Sequence, residues 1–368
     1  MNGPFEEATI GGIAMRNRIV RSATWEGACD GNGAPTEKLL ACHEALAEGG
    51  VGLIIGGYAY VAPEGKQNIG KMGMHDDSLV PSLKSLTGRV HDKGGRIVAQ
   101  LVHAGGQANR KVSGHPAVAP SALSLPFYPE VPVELDRGGI GRIVADFARA
   151  AARAKESGFD GVQLHGAHGY LLGQFLSPLT NARKDEYGGI LENRARFLVE
   201  TVGAVKRIVG KNYPVWIKLN GDDFIPGGTT REETETVARF LEGAGIDAIE
   251  VSGGTPASGE RTPARTAIDT VEKEGYHRDL ARGIKRQVRI PVGAVGGFRT
   301  LSLIEETLSA GDADFVSMAR PFIREPGLVN RWASGDRSRA ACISCNGCFL
   351  TALRDGCVRC VHVKKAKG

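Results

Sequence analysis

Two histidines three places apart, His165 and His168, with Tyr170 two places further on, are the residues of this chain best suited to chemistry. They follow a short strand-like run, Gly161–Leu164, in which Val162 and Leu164 alternate with Gln163 and His165. Imidazole N–H groups at the end of a strand can donate to an oxygen that is gaining charge, and a phenol beside them can supply a proton. A satisfied polar loop, with each histidine held in ordinary hydrogen bonds, is the competing reading for either residue alone. Three such groups in six residues favour a proton-handling site. Downstream, Arg183, Asp185, Tyr187, Gly188, Gly189, Glu192, Asn193 and Arg194 read as a loop folded on itself and closed by the start of a helix.

Positioning these groups requires a scaffold, and the hydrophobic pattern supplies one. Short apolar runs occur at Ile19–Ala23, Val51–Ile55, Ile97–Val102, Gly161–Leu164, Val215–Leu219, Ala248–Val251, Pro291–Val295 and Phe315–Met318. Amphipathic stretches such as Thr36–Glu48, Ile140–Ser157, Asn193–Val209 and Thr230–Glu242 fall between them. Gly-x-Asp signals at Gly158, Gly245 and Gly311–Asp314 end a helix and begin a strand each time. Eight strands alternating with helices predict an α/β fold, a closed (β/α)8 TIM barrel, spanning 18–333. Ahead of it, Gly11-Gly12 between two short runs predicts a hairpin in 1–17, and 334–368 is left as a C-terminal extension. Strand alternation puts Gln100, His165 and Lys218 on one face near the strand ends, where barrel chemistry sits. The turn through Gly296 and Gly297 after the seventh strand, and Ala319-Arg320 after the eighth, suit a phosphate shared by backbone N–H groups and one cation. A plain turn and a surface arginine are the alternative.

Composition narrows the function classes. The 368 residues are 42% hydrophobic and 24% charged, ordinary values for a soluble enzyme. No apolar run approaches the length of a membrane helix, and the N-terminus carries no secretory pattern, so a cytoplasmic location is expected. A net charge of +5, clustered only in the last residues, VHVKKAKG, argues for neither a nucleic-acid nor a membrane partner. A small-molecule substrate and a homo-oligomer are the expectation. Neither G-x-G-x-x-G nor a Walker loop occurs.

Together these residues resemble the old yellow enzyme family of FMN-dependent oxidoreductases over nearly the whole chain. The resemblance is carried by Asn17-Arg18-Ile19-Val20, by Gln100-Leu101-Val102-His103-Ala104-Gly105, and by His165-Gly166-Ala167-His168-Gly169-Tyr170 with Gln174-Phe175-Leu176-Ser177-Pro178. Asn181-x-Arg183-x-Asp185-x-Tyr187-Gly188-Gly189 and Glu192-Asn193-Arg194 continue it. The resemblance implies FMN over the C-terminal mouth, with the hairpin closing the other end. Gln100 would bond the flavin pyrimidine edge and Lys218 would stand beside N1 and O2, where most of the family has arginine. Ala23 and Thr24 would join the cofactor set, and Gly296, Gly297, Ala319 and Arg320 would hold the phosphate. His165 and His168 would grip a substrate carbonyl, Tyr170 would protonate the adjacent carbon, and NAD(P)H would supply electrons. Two departures stand out. Trp25 occupies a place usually held by Thr or Cys, and His103-Ala104-Gly105-Gly106-Gln107 lacks the usual arginine, so one loop anchor is missing.

Of seven cysteines, five fall within nineteen residues near the end of the chain. Cys342, Cys345, Cys348 and Cys360 have the spacing with which larger family members bind a 4Fe–4S cluster; zinc or reduced thiols are the alternatives. The sequence ends eight residues after Cys360, so a cluster here would lack the second flavin domain those relatives feed. The leading reading is an NAD(P)H-dependent ene-reductase acting on α,β-unsaturated carbonyl compounds. A flavin dehydrogenase of an amine-type donor, a Schiff-base lyase using Lys218 and a redox-sensing cysteine tail compete with it.

Overall fold

The computed structural model describes residues 3–363; the basic run Lys364, Lys365 and Lys367 lies outside them. An antiparallel hairpin, β1 (Ala8–Ile10) and β2 (Ile13–Met15), precedes eight parallel strands. These are β3 (Ile19–Arg21), β4 (Leu53–Tyr60), β5 (Ile97–Val102), β6 (Gly161–Gly166), β7 (Val215–Asn220), β8 (Ala248–Ser252), β9 (Val292–Val295) and β10 (Phe315–Met318). They pair in chain order and β10 returns to β3, closing the barrel. Around them run α1 (Glu37–Glu48), α2 (Val80–Asp92), α3 (Arg137–Glu156), α4 (Leu191–Val209), α5 (Arg231–Ala244), α6 (Arg278–Lys285), α7 (Leu301–Ser309) and α8 (Leu328–Ala333). This is the (β/α)8 barrel that the alternating pattern predicts. No helix among the described residues is long and apolar enough to cross a membrane.

Alternation along each strand divides the barrel's contents. Val20, Leu53, Ile55, Val98, Trp216, Ala248 and Phe315 fill its lower interior and meet Ile10, Ile13 and Met15 of the hairpin. The hairpin seals that end because Trp216 Nε1 donates to the Gly11 carbonyl at 3.0 Å. Only glycine fits there: Gly11 has φ +51°, and a Cβ would lie 2.5 Å from the indole nitrogen. Trp216→Ala should therefore cost about 3–5 kcal/mol, read as a shifted urea midpoint. An unchanged midpoint would show that the hairpin is not a structural plug.

The polar segment after β6 is a structural clasp. Arg183 grips Asp185 with two donors at 3.0 and 2.6 Å, and Asn181 Nδ2 donates to the carbonyls of Phe175 and Tyr187 at 2.7 Å each. Arg194 reaches Glu233, whose carboxylate also completes a capping box with Thr230 at the start of α5. The loop is folded on itself as its charge pattern predicts, and it ties β6 to the helices around it.

Candidate active site

One cavity of about 620 Å³ opens at the C-terminal end of the strands. Ala23, Thr24, Gln100, His165, His168, Tyr170, Lys218, Gly296, Gly297, Ala319 and Arg320 all line it. The eleven residues singled out in the sequence for the cofactor and for catalysis thus converge on one space.

The histidines and the tyrosine are held by the turn that ends β6. His168 (φ +59°) and Gly169 (φ +69°) both take left-handed backbone, which reverses the chain and lets Tyr170 cap the helix Leu171–Leu176. Ring centroids stand 5.0 Å apart for His165 and His168 and 4.8 Å apart for His165 and Tyr170. His165 Nδ1 accepts the Ala167 N–H at 3.4 Å, which leaves its proton on Nε2. His168 Nε2 lies 2.8 Å from Ser252 Oγ, so this second imidazole is coupled to a hydroxyl on β8 rather than free. Burial, and then neighbouring cationic groups, hold both histidines well below an ordinary imidazole pKa. Both are neutral donors at neutral pH. Burial likewise pushes the Tyr170 phenol up to about 12, so it keeps its proton.

Beneath these rings a polar chain crosses the barrel. Gln100 Nε2 donates to Gln163 Oε1 at 2.6 Å, and Gln163 Nε2 donates to Glu250 Oε2 at 2.9 Å. Glu250 pairs with Lys218 at 3.2 Å, and Lys218 donates to Ser22 Oγ at 2.8 Å. Lys218 is therefore held in place by Glu250 and Ser22. An amine engaged on both sides in this way is poorly placed to attack a carbonyl, which weakens the lyase reading. Glu250 had a visible signal: it is a lone carboxylate at the centre of an apolar strand.

Sequence reasoning missed three further contributors. Tyr58, on a strand with a register shift between Gly56 and Ala59, brings its hydroxyl within 2.9 Å of that of Tyr170. Gln67 and Asn68 enter from the following loop. Ser344, Asn346 and Phe349 of the C-terminal extension also form part of the wall. The extension packs Cys348, Ala352 and Val358 against Trp25, whose indole donates to the Ile69 carbonyl at 3.1 Å. Arg320 Nη1 donates to the Arg265 carbonyl and to Asn346 Oδ1, both at 2.7 Å.

The loop anchor expected to be missing has a replacement. A Cβ at Gly106 would meet the Tyr128 ring at 2.5 Å, so no arginine fits there. Gln174 Oε1 accepts the Gly106 N–H at 3.0 Å, and Gln107 fastens the catalytic turn by donating to the carbonyls of His168 and Gly169.

Cys342, Cys345, Cys348 and Cys360 line a second, small cavity of about 20 Å³ that shares Arg320 and Asn346 with the first. Among the described residues, no three His, Cys, Asp or Glu side chains are set to hold a metal ion.

The model of the NADH:flavin oxidoreductase / NADH oxidase family matches residues 4–338. The chain belongs to this family. It is 40% identical over 359 residues to a metal reductase of Desulforamulus reducens, covering 97% of this chain and 53% of that protein. It superposes on a 2-naphthoyl-CoA reductase complex with a TM-score of 0.89 and 29% identity, over 98% of this chain and 56% of the other. For the old yellow enzyme homologue of Zymomonas mobilis the values are 0.79 and 28%, over 92% and 94% of the two chains. The chain spans about half the length of the curated relatives it matches. Where its last residue falls is accordingly no argument about where electrons go after the cysteines.

Proposed function

We propose that this oxidoreductase holds FMN at the mouth of its barrel and reduces α,β-unsaturated carbonyl compounds with electrons from NAD(P)H. The observation that carries the reading is the edge-to-face cluster of neutral His165, His168 and Tyr170 lining one cavity with Gln100 and Lys218. The residues fit the cofactor. Gln100 Oε1 and Ser317 Oγ are buried without a partner and border the cavity, as groups awaiting a heterocycle's N–H and carbonyl edge do. Lys218, which lines the same cavity, would be the residue to face the flavin's pyrimidine edge. Gly296 (φ +153°) and Gly297 (φ +72°) put side-chain-free backbone beside Arg320, suited to a phosphate, and Cβ atoms there would meet Tyr276.

Bound there, FMN supplies the hydride chemistry between nicotinamide and substrate. Hydride addition to an electron-poor alkene builds charge on the carbonyl oxygen. Neutral imidazole donors aimed at that oxygen stabilise the transition state more than the ground state. His165 offers Nε2–H, His168 is oriented through Ser252, and Tyr170 gives its proton to the carbon beside the carbonyl. Among the described residues, the lining of the cavity includes Lys218, Arg299 and Arg320 but no Asp or Glu. A cationic amine donor would find no carboxylate there, which favours a neutral or anionic substrate over the dehydrogenase reading.

Purified protein should be yellow, NADH or NADPH should bleach it, and an enone or an enoyl thioester should restore the colour. Failure to retain flavin even after reconstitution would end this reading. A flavin that the nicotinamides leave oxidised would turn it towards donor oxidation. In functional terms we take 1–17 as the segment whose hairpin plugs the barrel, 18–333 as the FMN-binding barrel and 334–368 as a C-terminal extension whose described part supplies Ser344, Asn346 and Phe349 to the site. Cys342, Cys345, Cys348 and Cys360 border one small cavity but are not set to hold a metal among the described residues, so a 4Fe–4S cluster or zinc on them is proposed from their spacing and would require the thiols to close in. Burial raises the Cys348 thiol to about 11, so a metal would have to displace its proton. Anaerobic protein containing neither iron with sulfide nor zinc would refute this.

A further inference from the structure

Lys71 is buried, 1% exposed, and among the described residues it forms no ion pair. Its Nζ donates to Gln67 Oε1 at 3.0 Å and lies 3.6 Å above the centroid of the Tyr58 ring and 5.7 Å from that of Tyr170. Close approach of the chain puts it there. Gly70 (φ +64°) sits so near Gly27 that a Cβ would be 2.4 Å from its carbonyl oxygen. A lysine held in this way, without a carboxylate, is costly unless it meets a charge during function. Burial alone holds its amine well below an ordinary lysine pKa.

What it faces is a triangle of oxygens. Tyr58 OH, Tyr170 OH and Gln67 Oε1 are each 2.9 Å from the other two. Gln67 Nε2 donates to Gln107 Oε1 at 3.2 Å, which turns the amide oxygen towards the phenols. The triangle has three edges and only two hydroxyl protons. An amide oxygen has two lone pairs, and one of them is already taken by Lys71. One phenol therefore donates to Gln67 and the other to its neighbour. When Tyr170 loses its proton, its oxygen can accept the Tyr58 proton without any ring moving.

We infer that Tyr58 is a second proton donor standing behind Tyr170, and that Lys71 is the positioning cation that takes up the charge Tyr58 leaves. This rests on the reading of Tyr170 as the proton source. In the step, the Tyr170 O–H bond breaks as the substrate C–H bond forms. The Tyr58 O–H proton then passes to the Tyr170 oxygen, and the Tyr58 oxygen, now anionic, faces the Lys71 ammonium until water returns one proton. The other titratable groups facing the pair are His165, whose ring is 6.1 Å from that of Tyr58, and Glu26, which Arg21 neutralises at 2.6 Å. Neither gives Tyr58 a second cationic partner.

Tyrosine ring-carbon NMR on the flavin-loaded protein, with assignments from Tyr58→Phe and Tyr170→Phe, tests this without turnover. One tyrosine of the pair should ionise at lower pH in Lys71→Arg, whose cation persists through the titration, than in Lys71→Met. Identical titrations in Lys71→Arg and Lys71→Met would overturn the proposal. In single-turnover re-oxidation by an enone, Lys71→Met and Tyr58→Phe should each slow the step about tenfold or more, with Lys71→Arg recovering most of the rate. The proton inventory in mixed light and heavy water should be curved in wild type and linear in Tyr58→Phe. A linear wild-type inventory would remove the second proton. Lys71→Met should melt at or above the wild-type temperature, since an apolar side chain replaces a buried charge. Should that variant fail to fold, Tyr58→Phe and Lys71→Arg still decide the question. If no enone re-oxidises the wild type, the proposed function fails while the tyrosine titration still tests the cluster.

Discussion

Tyr170→Phe should slow re-oxidation of the reduced flavin by an enone by about 10²- to 10⁴-fold, the range for losing a positioned general acid. Reduction by the nicotinamide should stay within a few-fold of wild type. The two half-reactions separate because only the second requires a proton at carbon. The phenol suits that role because burial pushes it up to about 12, so it is fully protonated at neutral pH, and its ring sits 4.8 Å from that of His165. Removing one hydroxyl leaves the His165 and Lys218 positions untouched, since Tyr170 OH bonds only to Tyr58 and Gln67 among the described residues. Stopped-flow traces of each half-reaction make the comparison. Equal losses in both would show that Tyr170 shapes the cavity rather than supplying a proton.

How much of this site the sequence reveals depends on whether a residue's direction is set by a repeating pattern. Gln100, His165 and Lys218 lie on strands, where a period of two fixes which side chains point inwards. Their convergence can be read from that pattern alone, and the register confirms that His165 and Lys218 are direct neighbours on β6 and β7. Trp216, two places before Lys218, faces the same interior one layer lower, where the hairpin covers it. Glu250 was equally accessible by this logic, because Ala248, Glu250 and Ser252 share a face of β8.

Tyr58, Gln67 and Lys71 follow no such period. The register shift in β4 re-aims Tyr58, and the loop after it is shaped by contacts with Gly27 and Gly33 that no local pattern encodes. The extension poses a harder problem. Asn346 and Phe349 reach the cavity only because Val358 N–H bonds the Glu26 carbonyl and Asn346 Nδ2 bonds the Ala264 carbonyl, both across long stretches of chain. Spacing identified the cysteines as a group. Only the fold reveals that the segment carrying them is also a wall of the main cavity.

The barrel should lose stability steeply as pH falls from about 6.5 to 5, the window set by its buried histidines. His43, His103, His165 and His277 are all nearly inaccessible, and burial lowers the pKa of each; His103 falls to about 4 and His277 to about 3. The hydrogen bonds give the reason. His277 Nδ1 lies 2.8 Å from the Val295 carbonyl and His43 Nδ1 lies 3.1 Å from that of Leu39, so each donates there and leaves Nε2 buried with no partner. A second proton on His277 would create a buried cation with nothing among the described residues to accept from it, whereas on His43 it would face the Glu26 carboxylate at 3.9 Å, already paired with Arg21. His103 Nδ1 instead accepts the Gly105 N–H at 3.1 Å, a bond that protonation would break. The sign follows directly. Above about 6.5 both folded and unfolded chains carry neutral rings, and below it the unfolded chain binds protons the folded chain refuses. His103 and His277, whose folded values lie below 5, then each remove about 1.4 kcal/mol per pH unit, or about 2 kcal/mol by pH 5, and His43 and His165 act in the same direction. Ordinary carboxylates contribute little above pH 5. Asp223, raised by burial, opposes the trend by favouring the folded state as it protonates. Against a typical stability of about 5–15 kcal/mol, these losses take a large share of what holds the chain folded. Urea midpoints at fixed, saturating FMN should drop sharply between pH 7 and 5, and His277→Gln should flatten the slope. A flat profile in the wild type would mean that these rings gain their protons inside the folded barrel.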